Sequence, residues 1–74
     1  EIEERIREYL QEQEGVVLQK QILDDFKSEP GAAYHAVRKV LTACAIPEYI
    51  ATNPGQIFVR AAGLYNQKLY GVCR

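Results

Sequence analysis

The stretch AVRKVLTACAIPEYIATNPGQIFVR, residues 36–60, decides how this chain is read. Its first half repeats apolar residues at helical spacing, with Val37, Val40, Leu41 and Cys44 on one stripe that Tyr34 extends upstream. His35, Arg38, Lys39 and Thr42 form the opposite stripe, which is polar throughout. Ile46-Pro47 ends the helical pattern. Glu48–Thr52 then reads as a strand, Asn53-Pro54-Gly55 as a turn, and Gln56–Ala61 as the partner strand. Pro54 suits the second turn position, and Gly55 the third, where a type II turn requires positive φ. A helix followed by a β-hairpin is the expected outcome.

Upstream, Ile2, Ile6, Tyr9, Leu10 and Gln13 recur at helical spacing and predict a first amphipathic helix over residues 1–13. Glutamates crowd its start and Gly15 is a good stop. Val16-Val17-Leu18 is either a minimal strand or an extended lead-in to the next helix. That second helix runs from Gln19 to Lys27, with Ile22, Leu23 and Phe26 on its apolar face, and ends near Pro30-Gly31. Downstream, Ala62–Arg74 carries Leu64, Tyr65, Leu69, Tyr70 and Val72 without a clean period. It stands open as a short helix, an extra strand or a docking segment. The fold class is therefore α+β: three helices and a C-terminal hairpin over residues 1–61, with residues 62–74 packed on that unit or docking on a neighbour. Leu10, Ile22, Phe26, Val37, Leu41 and Phe58 are expected around one centre, with Tyr34 and Tyr49 also placed in the core.

The chain has 74 residues, 47 % of them apolar and 26 % charged, which describes one small globular domain. A chain of this size buries about 60 % of its unfolded surface, enough for one core without a deep substrate cavity. No apolar run is long enough to span a membrane, and no signal-peptide pattern opens the sequence. The chain has no methionine and stops at Cys73-Arg74, so it reads as one module of a larger protein. Cys44, Cys73 and His35 do not have the spacing of a structural zinc site, and two cysteines do not make a disulfide scaffold. They read as reduced thiols in an intracellular compartment. Asp24 and Asp25 are adjacent, so on a helix they diverge by about 100° and do not clasp one ligand. With no phosphate loop and no catalytic motif, the expectation is a non-enzyme without metal or cofactor.

Charge is split along the chain. Residues 1–14 carry net −4 and residues 15–74 carry net +3, within a total of −1. Beyond Pro30 the only acid is Glu48. Three helices followed by a hairpin, in this order, resemble the winged helix-turn-helix superfamily. IREYLQEQEGVVLQKQILDDF (residues 6–26) and residues 36–60 look like winged-helix modules of eukaryotic transcription machinery, including those of RNA polymerase III accessory subunits. Residues 9–26 also resemble LOTUS domains of RNA-regulatory proteins.

The resemblance implies a third helix that enters the major groove, with His35, Arg38, Lys39 and Thr42 as the recognition stripe. It also implies backbone contacts from Asn53 and Arg60 on the wing. Duplex DNA is then the leading ligand, ahead of RNA, and the nucleus the expected location. A total charge of −1 and a pI near 5.8 keep a second expectation in play. It is a winged helix used for protein–protein contact or scaffolding among the subunits of a larger assembly.

Overall fold

The computed structural model describes residues 2–27, 34–62 and 67–74. In chain order these form helix α1 (Ile2–Glu12), strand β1 (Val17–Leu18), helix α2 (Gln19–Phe26) and helix α3 (Tyr34–Cys44). Strand β2 (Ile46–Pro47), a 3-10 turn (Glu48–Ile50), strand β3 (Ile57–Ala62) and strand β4 (Gln67–Val72) follow. The class is α+β, with three helices covering one face of a sheet ordered β1-β4-β3-β2.

α1 forms where the apolar spacing places it and buries Ile6 and Leu10. Glu3 and Glu4 complement the positive end of its dipole, but its last turn has no basic residue of its own. Arg74 supplies the missing charge from the far end of the chain. Its guanidinium donates to the carbonyls of Gln11 at 3.0 Å, Leu10 at 3.4 Å and Gln13, at the C-terminal end of the helix, where the Leu10 carbonyl also accepts from the Gln13 amide at 3.2 Å. Gly15 then turns the chain with φ 97°. Of Val16-Val17-Leu18, the last two form the short strand β1, and Leu18 is also the extended N-cap of α2.

The hairpin expected over residues 48–61 does not form. The turn itself is present: Gly55 has φ 86°, and the Gln56 amide donates to the Asn53 carbonyl at 3.1 Å. What differs is the pairing. β2 runs parallel to β3 for only two register pairs, Ile46 with Phe58 and Pro47 with Val59. Pro47 has no amide to extend a ladder and sits on an edge strand, where proline is tolerated. The chain then winds into its 3-10 turn, closed by the Ala51 amide on the Glu48 carbonyl at 3.1 Å.

The antiparallel partner of β3 is β4, joined over six register pairs from Ile57 with Val72 to Ala62 with Gln67. Of the three options open for residues 62–74, a strand is the one that 67–72 adopts. It is also central, because β1 pairs with its other edge through Val17–Tyr70 and Leu18–Leu69. Leu64 and Tyr65 lie outside the described residues.

Register decides the core. Ile57, Tyr70 and Val72 face the helices and are buried with Ile6, Leu10, Val17, Ile22, Phe26, Val37 and Leu41. Each such side chain contributes on the order of 1.5–3 kcal/mol relative to exposure. Five of the six expected core residues are among them. Phe58 is not: strands alternate, so with Ile57 inward Phe58 turns to the outer face and is half-buried. There it lies across Gly71, where a Cβ would come within 2.6 Å of the ring. Tyr49 departs further from expectation. The 3-10 turn carries it off the sheet and leaves it 87 % exposed. The Tyr34 side chain lies outside the described residues. Among the described residues, Cys44 and Cys73 form no disulfide, and no helix is long and apolar enough to cross a membrane.

Leu41, fully buried on α3, sets a stability test. Leu41→Ala should cost about 2–5 kcal/mol in denaturant unfolding. A chain ending at Ala62 should show no cooperative transition, because it lacks the strand between β1 and β3.

Candidate nucleic-acid interface

Helix α3 has no acidic residue along its eleven positions. Val37 and Leu41 anchor it to the core, and that rotation turns His35, Arg38, Lys39 and Thr42 out to solvent. The four expected stripe residues therefore share one exposed face. Their roles differ. Thr42 donates its Oγ1 hydrogen to the Arg38 carbonyl at 3.0 Å, so its hydroxyl is left as an acceptor toward any ligand. Arg38 lies near the sheet as well as in solvent. Burial raises the pKa of the Tyr70 phenol, and the positive charge of Arg38 pulls it back part of the way.

Two further exposed cations lie outside α3, where the helix spacing does not reveal them. Lys20, exposed in the first turn of α2, lines a shallow groove with Arg38, Gln19, Leu23 and Asp24. Lys68 stands two residues before Tyr70 on β4, so both project from the same face of the sheet. Tyr70 is buried there among the helices, while Lys68, paired with Ala61, is exposed. The sequence signal for Lys68 was the alternation of β4, which is legible only once Tyr70 is known to point inward.

Arg60 and Asn53 do not join this face as free contacts. Arg60 is gripped by Glu48 in two parallel bonds, Nε to Oε1 and Nη2 to Oε2, both at 2.6 Å. The guanidinium holds the Glu48 carboxyl below the usual carboxylate range, and Glu48 in turn raises the pKa of Arg60. The two charges largely cancel at long range. Asn53 belongs to a turn that works as a brace. Arg7 Nε donates to the Gly55 carbonyl at 2.8 Å, and the Gly55 amide donates to the Cys73 carbonyl at 2.7 Å. Asn53 is thus exposed beside α1, at the Ile57 end of β3 and away from Ala62.

The acids collect elsewhere. Glu8, Glu12 and Asp25 line a polar groove between α1 and α2, where Tyr9 donates its hydroxyl to Asp25 and packs edge-on against Phe26. Burial and the neighbouring carboxylate push the Tyr9 phenol well above its ordinary range. Among the described residues, no three His, Cys, Asp or Glu side chains gather as a metal site. No family model, curated protein or solved structure matches the chain.

The Glu48–Arg60 pair is checkable by titration. A group whose folded pKa is lowered adds stability above its unfolded pKa and loses it as pH falls through the folded one. Carboxyl NMR should therefore find Glu48 titrating at lower pH in the wild type than in Arg60→Ala. The exposure of both groups keeps the effect on melting small.

Proposed function

We propose that this chain is a nucleic-acid-binding module with a winged-helix arrangement, part of a larger nuclear transcription or chromosomal protein. In this reading α3 is the recognition helix and the β3–β4 hairpin is the wing. The observation that carries it is the outward face of α3, which presents His35, Arg38 and Lys39 with no acid on the helix. A helix is about 10–12 Å across with its side chains, and the major groove of duplex DNA is about 12 Å wide. Arg38 can meet a guanine edge with two parallel bonds, while Lys39 acts as a point charge on phosphate. Lys68 and Lys20 add cations beside that face from the wing and from α2. Arg60 contributes only by exchanging Glu48 for a phosphate.

A second reading, protein–protein contact, has its own observation: Tyr49, Ile50 and Leu18 are large apolar side chains left exposed. Nucleic-acid binding is preferred because the fold leaves exposed cations on three separate elements, with Lys20 and Arg38 lining one groove.

The test is a titration of duplex DNA, single-stranded DNA and RNA over a range of salt. Duplex binding should weaken with salt, and replacing Arg38 and Lys39 together by alanine should reduce the slope by up to about two units. Glu8→Lys, on the acidic α1–α2 side, should not impair binding. A wild-type chain with no measurable affinity at low salt, where phosphate attraction is strongest, would refute the reading.

A further inference from the structure

The end of β2 leaves a gap beside β3. After Pro47 the chain turns out of the sheet, while β3 continues to Ala62 with no strand on that edge among the described residues. The gap is an open groove of ≈ 490 Å³ with Pro47, Tyr49, Val59 and Ala61 among its lining residues. Val59 and Ala61 form a floor of methyl groups, since alternate residues of one strand share a face. Tyr49, the most exposed large apolar side chain of the described residues, forms a wall. Lys68, the register partner of Ala61, and the neutralised Glu48–Arg60 pair complete the lining. The uncompensated charge in the lining is therefore positive.

A flat, apolar-faced group joined to an anion matches these features. An aromatic side chain offers a stacking face to any base, and a lysine beside it offers a partner for the adjoining phosphate. Lys68 also links the groove to the sheet face that carries Tyr70. It stands two residues from Tyr70, and Tyr70 in turn lies in the field of Arg38.

We infer that the groove between the 3-10 turn and the β3–β4 wing takes an unpaired nucleobase, stacked on Tyr49, with its phosphate on Lys68. The inference rests on the reading of α3 as the nucleic-acid contact and adds a preference for duplexes interrupted by an unstacked base. An apolar peptide side chain would fill the same floor but would leave the positive charge unmatched.

The experiment uses two short DNA duplexes of the same sequence, one fully paired and one carrying a single bulged 2-aminopurine. The wild-type chain should bind the bulged duplex about tenfold more tightly, the size of one base–aromatic stack, and should quench the 2-aminopurine fluorescence. Tyr49→Ala should lose the preference and the quenching while keeping its affinity for the paired duplex, and Tyr49→Phe should retain both. The exposure of Tyr49 keeps these variants folded. Replacing Arg38 and Lys39 by alanine should weaken both duplexes by the same factor. Equal wild-type affinity for the two duplexes, or an unchanged preference in Tyr49→Ala, overturns the groove inference alone and leaves Tyr49 as a protein contact. Failure to bind either duplex at low salt overturns the α3 reading and this inference with it.

Discussion

Tyr70 pairs with Val17 on one side and Val59 on the other, so β4 closes the sheet between a strand near the start of the chain and a strand near its end. The rest of the structure depends on that insertion. It buries Tyr70 and Val72 beneath the helices and gives the two-residue β1 a partner. It also carries the last residues back to α1, where Arg74 donates to carbonyls at the helix's C-terminal end. A cation at a helix C-terminus contributes about 0.3–1 kcal/mol, small beside the burial of one aromatic core residue. Burial therefore holds β4 in place, and the cap follows from it.

The same closure sorts the charges. Arg74 caps α1, Arg7 bonds Glu3 and the Gly55 carbonyl, and Arg60 is matched by Glu48. Three arginines that add to the basic count of the chain are thus engaged with the protein itself. The cations left facing solvent come from α2, α3 and β4, and Glu8, Glu12 and Asp25 line a different groove, while Asp24 stands with Lys20 and Arg38. A net charge of −1 conceals this arrangement, because a field depends on where charges stand and not on their sum. The proposed contact face is a product of the fold in that sense.

Tyr49 shows how one local event makes a surface. Proline at position 47 ends the ladder on β3, the chain coils, and a large aromatic side chain is carried into solvent beside a strip of uncovered sheet. Had β2 continued as a strand, the alternation of the sheet would have set the side chain against a neighbour. The proposed nucleobase groove exists because it did not.

Periodicity made the three helices and most of the core legible in the sequence. Ile22, Phe26, Val37 and Leu41 had to face inward because helical spacing groups them, and that grouping in turn exposes His35, Arg38, Lys39 and Thr42. These are local facts, set by residues three or four apart. Strand pairing is not local. Asn53-Pro54-Gly55 announced a turn correctly but says nothing about which segments flank a hairpin, and the tail had no period to mark it as a strand. Only the tertiary structure decided that β3 pairs with β4, that Phe58 faces outward, and that Arg60 spends its charge on Glu48. The sequence by itself determined which helical faces are apolar, because that depends on the pitch of one helix. Partners for strands and charges were settled by packing: β3 takes β4 on one edge over six antiparallel pairs that bury Tyr70 and Val72, and β2 on the other for only two, where Pro47 ends the ladder.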